Sequence, residues 1–240
     1  MDILIMSAKK QQGRHDRPKA VRPPQQGRSA QTLERIYAAT EKLLERKRFE
    51  DLSVAEIVDE ARSSVGAFYT RFADKETLLD ALDERYMEAS LRAVEETLDE
   101  AALEGHDLEE VVQAIVAAVV QFHRAKPGLI RALVMRARSQ PDTRYQARGD
   151  RITDAIFERI HSLLLARREA IHHPQPKTAI ALGFFAVLTV IREVTLFPEG
   201  PAKGLPVRDD EFVTELNCLF LRYLGAASTT ERTKKGGQRS

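Results

Sequence analysis

The sequence has no tryptophan and one cysteine in 240 residues, and aromatic side chains make up only 6% of it. A single cysteine, Cys218, excludes an intramolecular disulfide and any metal site built on several thiolates, so a cytoplasmic location is expected. Few aromatics beside 30% charged residues fit a soluble helical chain better than a β-sandwich. Charge of one sign is lacking too. The formal net charge is +1, so any basic surface has to be local. The most apolar stretch, residues 179–191, is shorter than the roughly 20 residues needed to span a bilayer. In the opening MDILIMSAKK the basic residues follow the apolar run, the reverse of a secretory leader. A buried helix, and no membrane partner, are expected.

Catalytic and metal-binding patterns are also missing. The six histidines, His15, His106, His123, His161, His172 and His173, show no H-E-x-x-H or similar spacing. No nucleophile–base–acid set and no phosphate loop are visible, so neither an enzyme nor a cofactor or metal site is expected.

What the sequence does have is helical periodicity. Residues 1–28 are polar and rich in Gln, Arg, Lys and Pro, and read as a disordered basic arm that either lies along phosphates or is an inert leader. Leu33, Ile36, Tyr37, Thr40, Leu43 and Leu44 recur at helical spacing, with Ser29 as N-cap and an end near Arg48. Ser53-Val-Ala-Glu56 is a capping box opening a helix that runs to about Glu60. Asp74 caps a longer helix expected to reach Leu103, a rod of about 45 Å for some 30 residues. A second capping box, Asp107-Leu-Glu-Glu110, starts a helix over 108–125. Further patterns cover 128–138, 145–168, 177–196 and 209–224, and no segment alternates like a strand. The expected fold class is all-α, an N-terminal three-helix unit followed by a larger helical domain. The expected boundaries are arm 1–28, three-helix unit 29–76, larger helical domain 77–225 and disordered tail 226–240.

The stretch SSVGAFYTRFADKE, residues 63–76, carries the most specific signal. It reads as a helix of barely two turns containing Gly66, where glycine costs about 1 kcal/mol relative to alanine. Three short helices, two joined by a tight turn, describe a helix-turn-helix, whose second helix enters the DNA major groove. There a missing side chain at Gly66 lets backbone come close to phosphate or a base edge. Phe68 and Phe72, four apart, face a small core, leaving Tyr69, Thr70 and Arg71 outward. Lys75 adds a cation beside helix-start amides that attract phosphate.

These residues resemble the DNA-binding domain of the tetracycline-repressor (TetR) family, whose signature approximates T-V-x-x-I-A-x-x-A-G-V-S-x-G-x-F-Y-x-H-F-x-S-K-E-x-L. The chain matches at Ser53-Val54, Ile57, Ala61, Ser64, Gly66, Phe68-Tyr69, Phe72, Lys75-Glu76 and Leu78, with spacing kept throughout. Arg62 and Ser63 replace the usual Gly-Val of the turn, and Arg71 replaces a common His or Tyr. If position 62 needs a positive φ, Arg costs roughly 1 kcal/mol there; it also offers a phosphate contact.

The resemblance implies a homodimeric, ligand-responsive repressor that binds a near-palindromic double-stranded DNA operator and is released by a small hydrophobic effector. Its DNA contacts are expected from Ser53, Arg62, Ser64, Val65, Gly66, Tyr69, Thr70, Arg71 and Lys75. Phe122, His123, Met135, Phe157, His161 and Phe184 are candidates for the effector cavity and equally for plain core. The stretch 179–191 is apolar around its circumference, so one neighbouring face cannot bury it. With the last helix it suggests a pair that meets its copy, through Phe185, Leu188, Phe212, Leu216, Phe220 and Tyr223. A helical adaptor that lost DNA affinity through Arg62, or a small all-helical enzyme, are the other readings.

Overall fold

The computed structural model describes residues 27–99, 103–139, 143–205 and 209–226. The basic arm before Gly27 and the tail after Ala226 lie outside the described residues. Among the described residues the chain forms nine α-helices and no strand. They are α1 (Gly27–Leu44), α2 (Val54–Glu60), α3 (Val65–Tyr69), α4 (Lys75–Thr97), α5 (Leu108–Ala125), α6 (Pro127–Ser139), α7 (Thr143–Leu165), α8 (Pro176–Leu196) and α9 (Asp209–Tyr223). Short 3₁₀ turns stand at Phe49–Asp51, Arg168–Ala170 and Pro201–Gly204.

Two apolar clusters organise these helices. The first is a head. Ile36, Leu44, Ile57, Phe68, Phe72, Leu78 and Leu82 are buried together, closed from above by Leu129, Ala132 and Leu133 of α6. The second is a body, in which Val111, Val112, Ile115 and Val116 of α5 pack with Leu163 and Leu164 of α7, Phe184 and Val187 of α8, and Phe220 of α9.

Several helix ends differ from expectation, each for a local reason. Helix α1 starts at Gly27, so Ser29 lies in its first turn and is not its N-cap. It stops at Leu44 because the chain turns into the 3₁₀ segment holding buried Phe49. Helix α4 ends at Thr97, because Leu98 leaves helical geometry (φ −107°, ψ 37°). The Leu98 carbonyl accepts from Arg159 Nε at 3.0 Å and Nη2 at 2.8 Å. At 23 residues the rod is about 35 Å long, shorter than expected. Helix α8 ends at Leu196 as expected and starts one residue earlier, at Pro176. Its 21 residues are long and apolar enough, by length and composition, to cross a membrane. Instead it packs against α5, α7 and α9, burying Ala179, Ile180, Gly183, Phe184, Val187 and Ile191.

Head and body meet end to end. The N-terminus of α6 abuts the C-terminus of α1, so closely that a Cβ on Gly128 would sit 2.3 Å from the Leu44 carbonyl oxygen. Arg131 Nη2 donates to that oxygen at 2.8 Å, the Gly128 amide donates to Glu45 Oε1 at 3.2 Å, and Lys126 pairs with Glu41 at 2.7 Å. At the other end of the body, about 27 Å away along the 18 residues of α5, Arg167 Nε donates to the His106 carbonyl at 2.8 Å. There the His172 amide donates to the Leu224 carbonyl at 3.0 Å, so α9 also finishes at this far end.

Candidate nucleic-acid interface

The two short helices of the head depend on their caps, because a helix of five or seven residues has almost no internal hydrogen bonding to propagate. At α2 the Ser53 hydroxyl accepts the Glu56 amide at 3.2 Å, and the Glu56 carboxylate accepts the Ser53 amide at 3.0 Å, a complete capping box. A hydrogen bond from Lys47, then those from Ser53, pull the Glu56 carboxyl down to about 2. At α3 the Ser64 hydroxyl accepts the Ala67 amide at 3.1 Å. Between the caps the chain reverses through Arg62, whose φ of +49° makes it the one non-glycine residue with positive φ among those described. Left-handed backbone at an L-residue costs about 1–2 kcal/mol. Three contacts hold it: the Arg62 amide donates to the Asp59 carbonyl at 2.9 Å, the Ser63 amide donates to the Val58 carbonyl at 2.8 Å, and Arg35 Nη1 donates to the Arg62 carbonyl at 3.3 Å.

Helix α3 then divides its surface. Phe68 and Phe72 are completely buried, their ring centroids 5.3 Å apart, with Tyr37 against Phe72. Val65 (48% exposed) and Tyr69 (54% exposed) face solvent, and the Tyr69 ring stands edge-on to Phe68. Gly66 is exposed, and a Cβ there would meet only Ser64 Oγ at 4.0 Å. No packing inside the protein requires that glycine. The open space above it faces outward, where a bare backbone suits close approach by a ligand. Thr70 is exposed and donates its hydroxyl to the Gly66 carbonyl at 2.7 Å.

Seven of the nine expected DNA-contacting residues, namely Ser53, Arg62, Ser64, Val65, Gly66, Tyr69 and Thr70, are exposed. The other two have internal partners. Lys75 directs its ammonium at the carbonyls of Phe49 (3.2 Å), Glu50 (3.0 Å) and Leu52 (3.1 Å), above the Phe49 ring. Three donors meet three acceptors there, so Lys75 fastens the 3₁₀ turn to the start of α4. Arg71 donates to the Ala67 carbonyl at 2.6 Å and reaches Ser29, touching its hydroxyl at 2.8 Å and its carbonyl at 3.2 Å. Arg35 and Ser29 were not among the expected site residues. Their partners lie 27 and 42 residues away, and no spacing rule announces such contacts.

The six effector candidates fall into separate places. Phe122 stacks on Tyr86 at 5.0 Å and meets the His123 ring edge-on at 5.6 Å. His123 is buried, and its Nδ1 donates to the Val119 carbonyl at 2.8 Å. Burial holds its imidazole below the ordinary value near 6.5. Phe157 and Phe184 form an edge-on pair at 4.9 Å inside the body core, while Met135 and His161 are half-buried on α6 and α7. Burial raises the Tyr86 hydroxyl above the ordinary tyrosine value.

The expected dimer residues differ in exposure within the subunit. Phe212, Leu216 and Phe220 are buried in the subunit's own core. Their ridge packs on α8 so tightly that a Cβ on Gly183 would lie 2.5 Å from the Phe220 ring. Leu188 and Tyr223 are half-buried, and Phe185 is 57% exposed. The outward apolar side chains beside Phe185 are Leu182, Leu205 and Leu219. Leu182, Leu205 and Leu219 edge an open groove between α8 and α9 whose floor includes Gly183 and Ala186.

Comparison with known proteins agrees with this geometry. The sequence profile described as bacterial regulatory proteins, tetR family, matches residues 36–82, and that of the tetracyclin repressor-like C-terminal domain matches residues 107–224. No curated protein matches the chain. Among solved structures, a tetR-family regulatory protein from Rhodococcus RHA1 is similar at 20% identity and a TM-score of 0.64, covering 82% of this chain and 98% of its own. A TetR-family regulator from Mesorhizobium loti described as putative shares 18% identity (TM-score 0.58, 83% and 98% covered). The fatty acid degradation regulator FadR from Bacillus halodurans shares 16% (TM-score 0.57, 84% and 97%). At these identities the solved structures speak for the fold alone.

Proposed function

This chain belongs to the TetR family of bacterial regulatory proteins, and from that premise we propose a homodimeric repressor that reads a near-palindromic operator and leaves it when a small apolar effector binds the body. Residues 29–76 are assigned to DNA binding and residues 77–225 to effector binding and dimerisation. The observation that carries the DNA reading is the division of α3, with Phe68 and Phe72 inward and Val65, Gly66 and Tyr69 outward. Ser53 and Ser64 open α2 and α3 beside that surface; the Ser53 amide is held by Glu56, so the Ser64 backbone amide is assigned to phosphate, and the side chains of Tyr69 and Thr70 to base edges. Arg71 and Lys75 act as positioning residues, since their donors already meet protein carbonyls.

The exposed side chains Leu182, Phe185 and Leu219 support a two-fold contact through α8 and α9. Two reading helices related this way address half-sites about 34–36 Å apart, or a multiple of that. Linkage requires the effector to weaken DNA by the same factor that DNA weakens the effector.

The test is enrichment of a random-sequence duplex pool by the full chain, followed by titration of the enriched duplex against an unselected one. Two-fold symmetric enriched sequences, and a Tyr69→Ala loss of about tenfold on the enriched duplex alone, are expected. Equal affinity for the two duplexes would end the reading. Leu219→Glu should halve the mass in sedimentation equilibrium.

A further inference from the structure

We propose that the effector is a small apolar acid, its carboxylate held by Arg192 beside Arg138 and its apolar part against the stacked rings of Tyr86 and Phe122. The inference rests on the reading of the body as an effector-binding domain, and names the class of molecule it takes.

A guanidinium crowded by apolar atoms is costly to strip of water, so such arginines are normally tied to an acceptor. Other arginines of the body obey this. Arg159 donates to the Leu98 carbonyl, Arg167 to the His106 carbonyl and Arg131 to the Leu44 carbonyl. Arg136 pairs with Asp80 at 2.6 Å. Arg192, near the end of α8, is the exception. Part of it reaches solvent. Burial nevertheless pulls its guanidinium below the ordinary arginine value, and the positive charge of Arg138 adds to that. Neither Arg192 nor Arg138 has a hydrogen bond or an ion pair among the described residues. The helix itself offers Arg192 no acid one turn away, where Leu188, Thr189, Thr195 and Leu196 stand. Two like charges with no acid between them favour an anion.

The neighbours of Arg192 set the rest of the ligand. Its charge acts on the Tyr86 hydroxyl and on the His123 imidazole, which groups the three together. Tyr86 stacks on Phe122 at 5.0 Å, and Phe122 meets His123 edge-on at 5.6 Å. Burial favours the neutral form of His123, whose Nδ1 hydrogen is spent on the Val119 carbonyl at 2.8 Å. The carboxylate that acts on Tyr86 is that of Asp83, which is buried and already engaged within the protein. The wall is therefore aromatic and uncharged, with the cations at one side. A molecule that fits it has an apolar body and one anionic end. A carboxylate suits that end, because the planar fork of a guanidinium meets both its oxygens with parallel N–H donors. A doubly charged phosphate would bring more charge into apolar surroundings, at a higher desolvation cost. Tyr86 lies one turn beyond Leu82 of the head cluster, so a ligand here bears on the part of α4 that the head is built on.

The test pairs each acid with its uncharged amide, so that the skeleton is constant and only the charge changes. The full chain is titrated with straight-chain acids from butanoate to hexadecanoate, with the aryl acids phenylacetate and cinnamate, and with all their amides. Binding is read by calorimetry and as a rise in thermal midpoint. At least one acid should bind about tenfold or more tighter than its amide. The straight-chain and aryl arms then show which apolar part the rings prefer. Arg192→Gln should remove the preference for acid over amide, with the ligand-free midpoint no lower than before. Arg192→Lys, which keeps the charge without the planar fork, should retain part of it, and Phe122→Leu should weaken acid and amide alike. No acid binding more tightly than its amide overturns the inference. So does an acid preference that survives Arg192→Gln, or a ligand-free midpoint lowered by that change, which would mean a structural arginine. The acid that binds is last titrated against the complex with the enriched duplex, where release is expected. Release by amides alone would overturn the acid and keep the effector reading, whereas an acid held by Arg192 that leaves the duplex bound would remove the effector reading itself.

Discussion

Head and body bury similar side chains by different means. In the head the helices are short and their ends are closed by hydroxyls and carboxylates three residues away: Ser53 on Glu56, Ser64 on Ala67 and Asp74 on Thr77. In the body the helices are long, and loop carbonyls are closed by arginines distant in sequence, Arg159 of α7 on Leu98 and Arg167, just after α7, on His106. Local capping makes a unit whose shape depends on a few side chains. Distant capping makes one whose shape depends on the whole bundle. Substitutions should therefore act sharply in the head and diffusely in the body.

The largest expected effect is Phe68→Ala. Emptying a fully buried aromatic site costs about 3–5 kcal/mol, more than so small a cluster can lose. Urea denaturation should split into an early loss of the head and a nearly unchanged transition for the body; a single unsplit transition would mean the two are one cooperative unit. Next is Gly128→Val, which sets side-chain atoms against the backbone of Leu44 and Glu45. A shift of α6 off α1 at about 2–3 kcal/mol is expected, read as a lower thermal midpoint with both clusters affected.

Ser53→Ala should cost about 1 kcal/mol, the usual worth of such a cap. Its pH dependence follows from the low Glu56 value. Folding holds this carboxyl at about 2, below its ordinary value near 4.3. Its contribution is therefore complete above pH 4.3 and lost as pH falls from there through about 2. In the Ser53→Ala protein that acid loss should shrink, because one source of the depression is gone.

Arg62→Gly has the smallest effect. Relief of left-handed strain gains about 1 kcal/mol, and the added freedom of the unfolded chain takes back about half. A net gain near 0.5 kcal/mol in urea is expected. A loss would mean that the Arg62 side chain contributes to the fold.

The same contrast explains what was legible in the sequence. N-caps join residues three apart in sequence, so α2, the start of α4 and the start of α5 could be read directly, as could the inward placing of Phe68 and Phe72 from their spacing. The end of α4 could not. Leu98 and Leu103 fit the helical pattern and are buried, but an arginine 61 residues away holds the chain out of helix at Leu98. The internal partners of Lys75 and Arg71 were hidden for the same reason, lying 23–26 and 42 residues off. On α9 an apolar residue at nearly every turn says that both faces are apolar without saying which is inward. Close packing at Gly183 decides it, sending Phe212, Leu216 and Phe220 into the core and leaving Leu219 outside.

The contact between Gly128 and Leu44 also sets the stiffness of the molecule. Two side chains in contact can absorb a small displacement by turning about their own bonds, as a spring does. At Gly128 no side chain intervenes, and the backbone of α6 bears on the last carbonyl of α1 with Arg131 closing the same oxygen. A joint of that kind has little slack. Motion of α6 by a few tenths of an ångström passes into α1 as motion, and through Ser29 and Arg71 reaches the exit of α3.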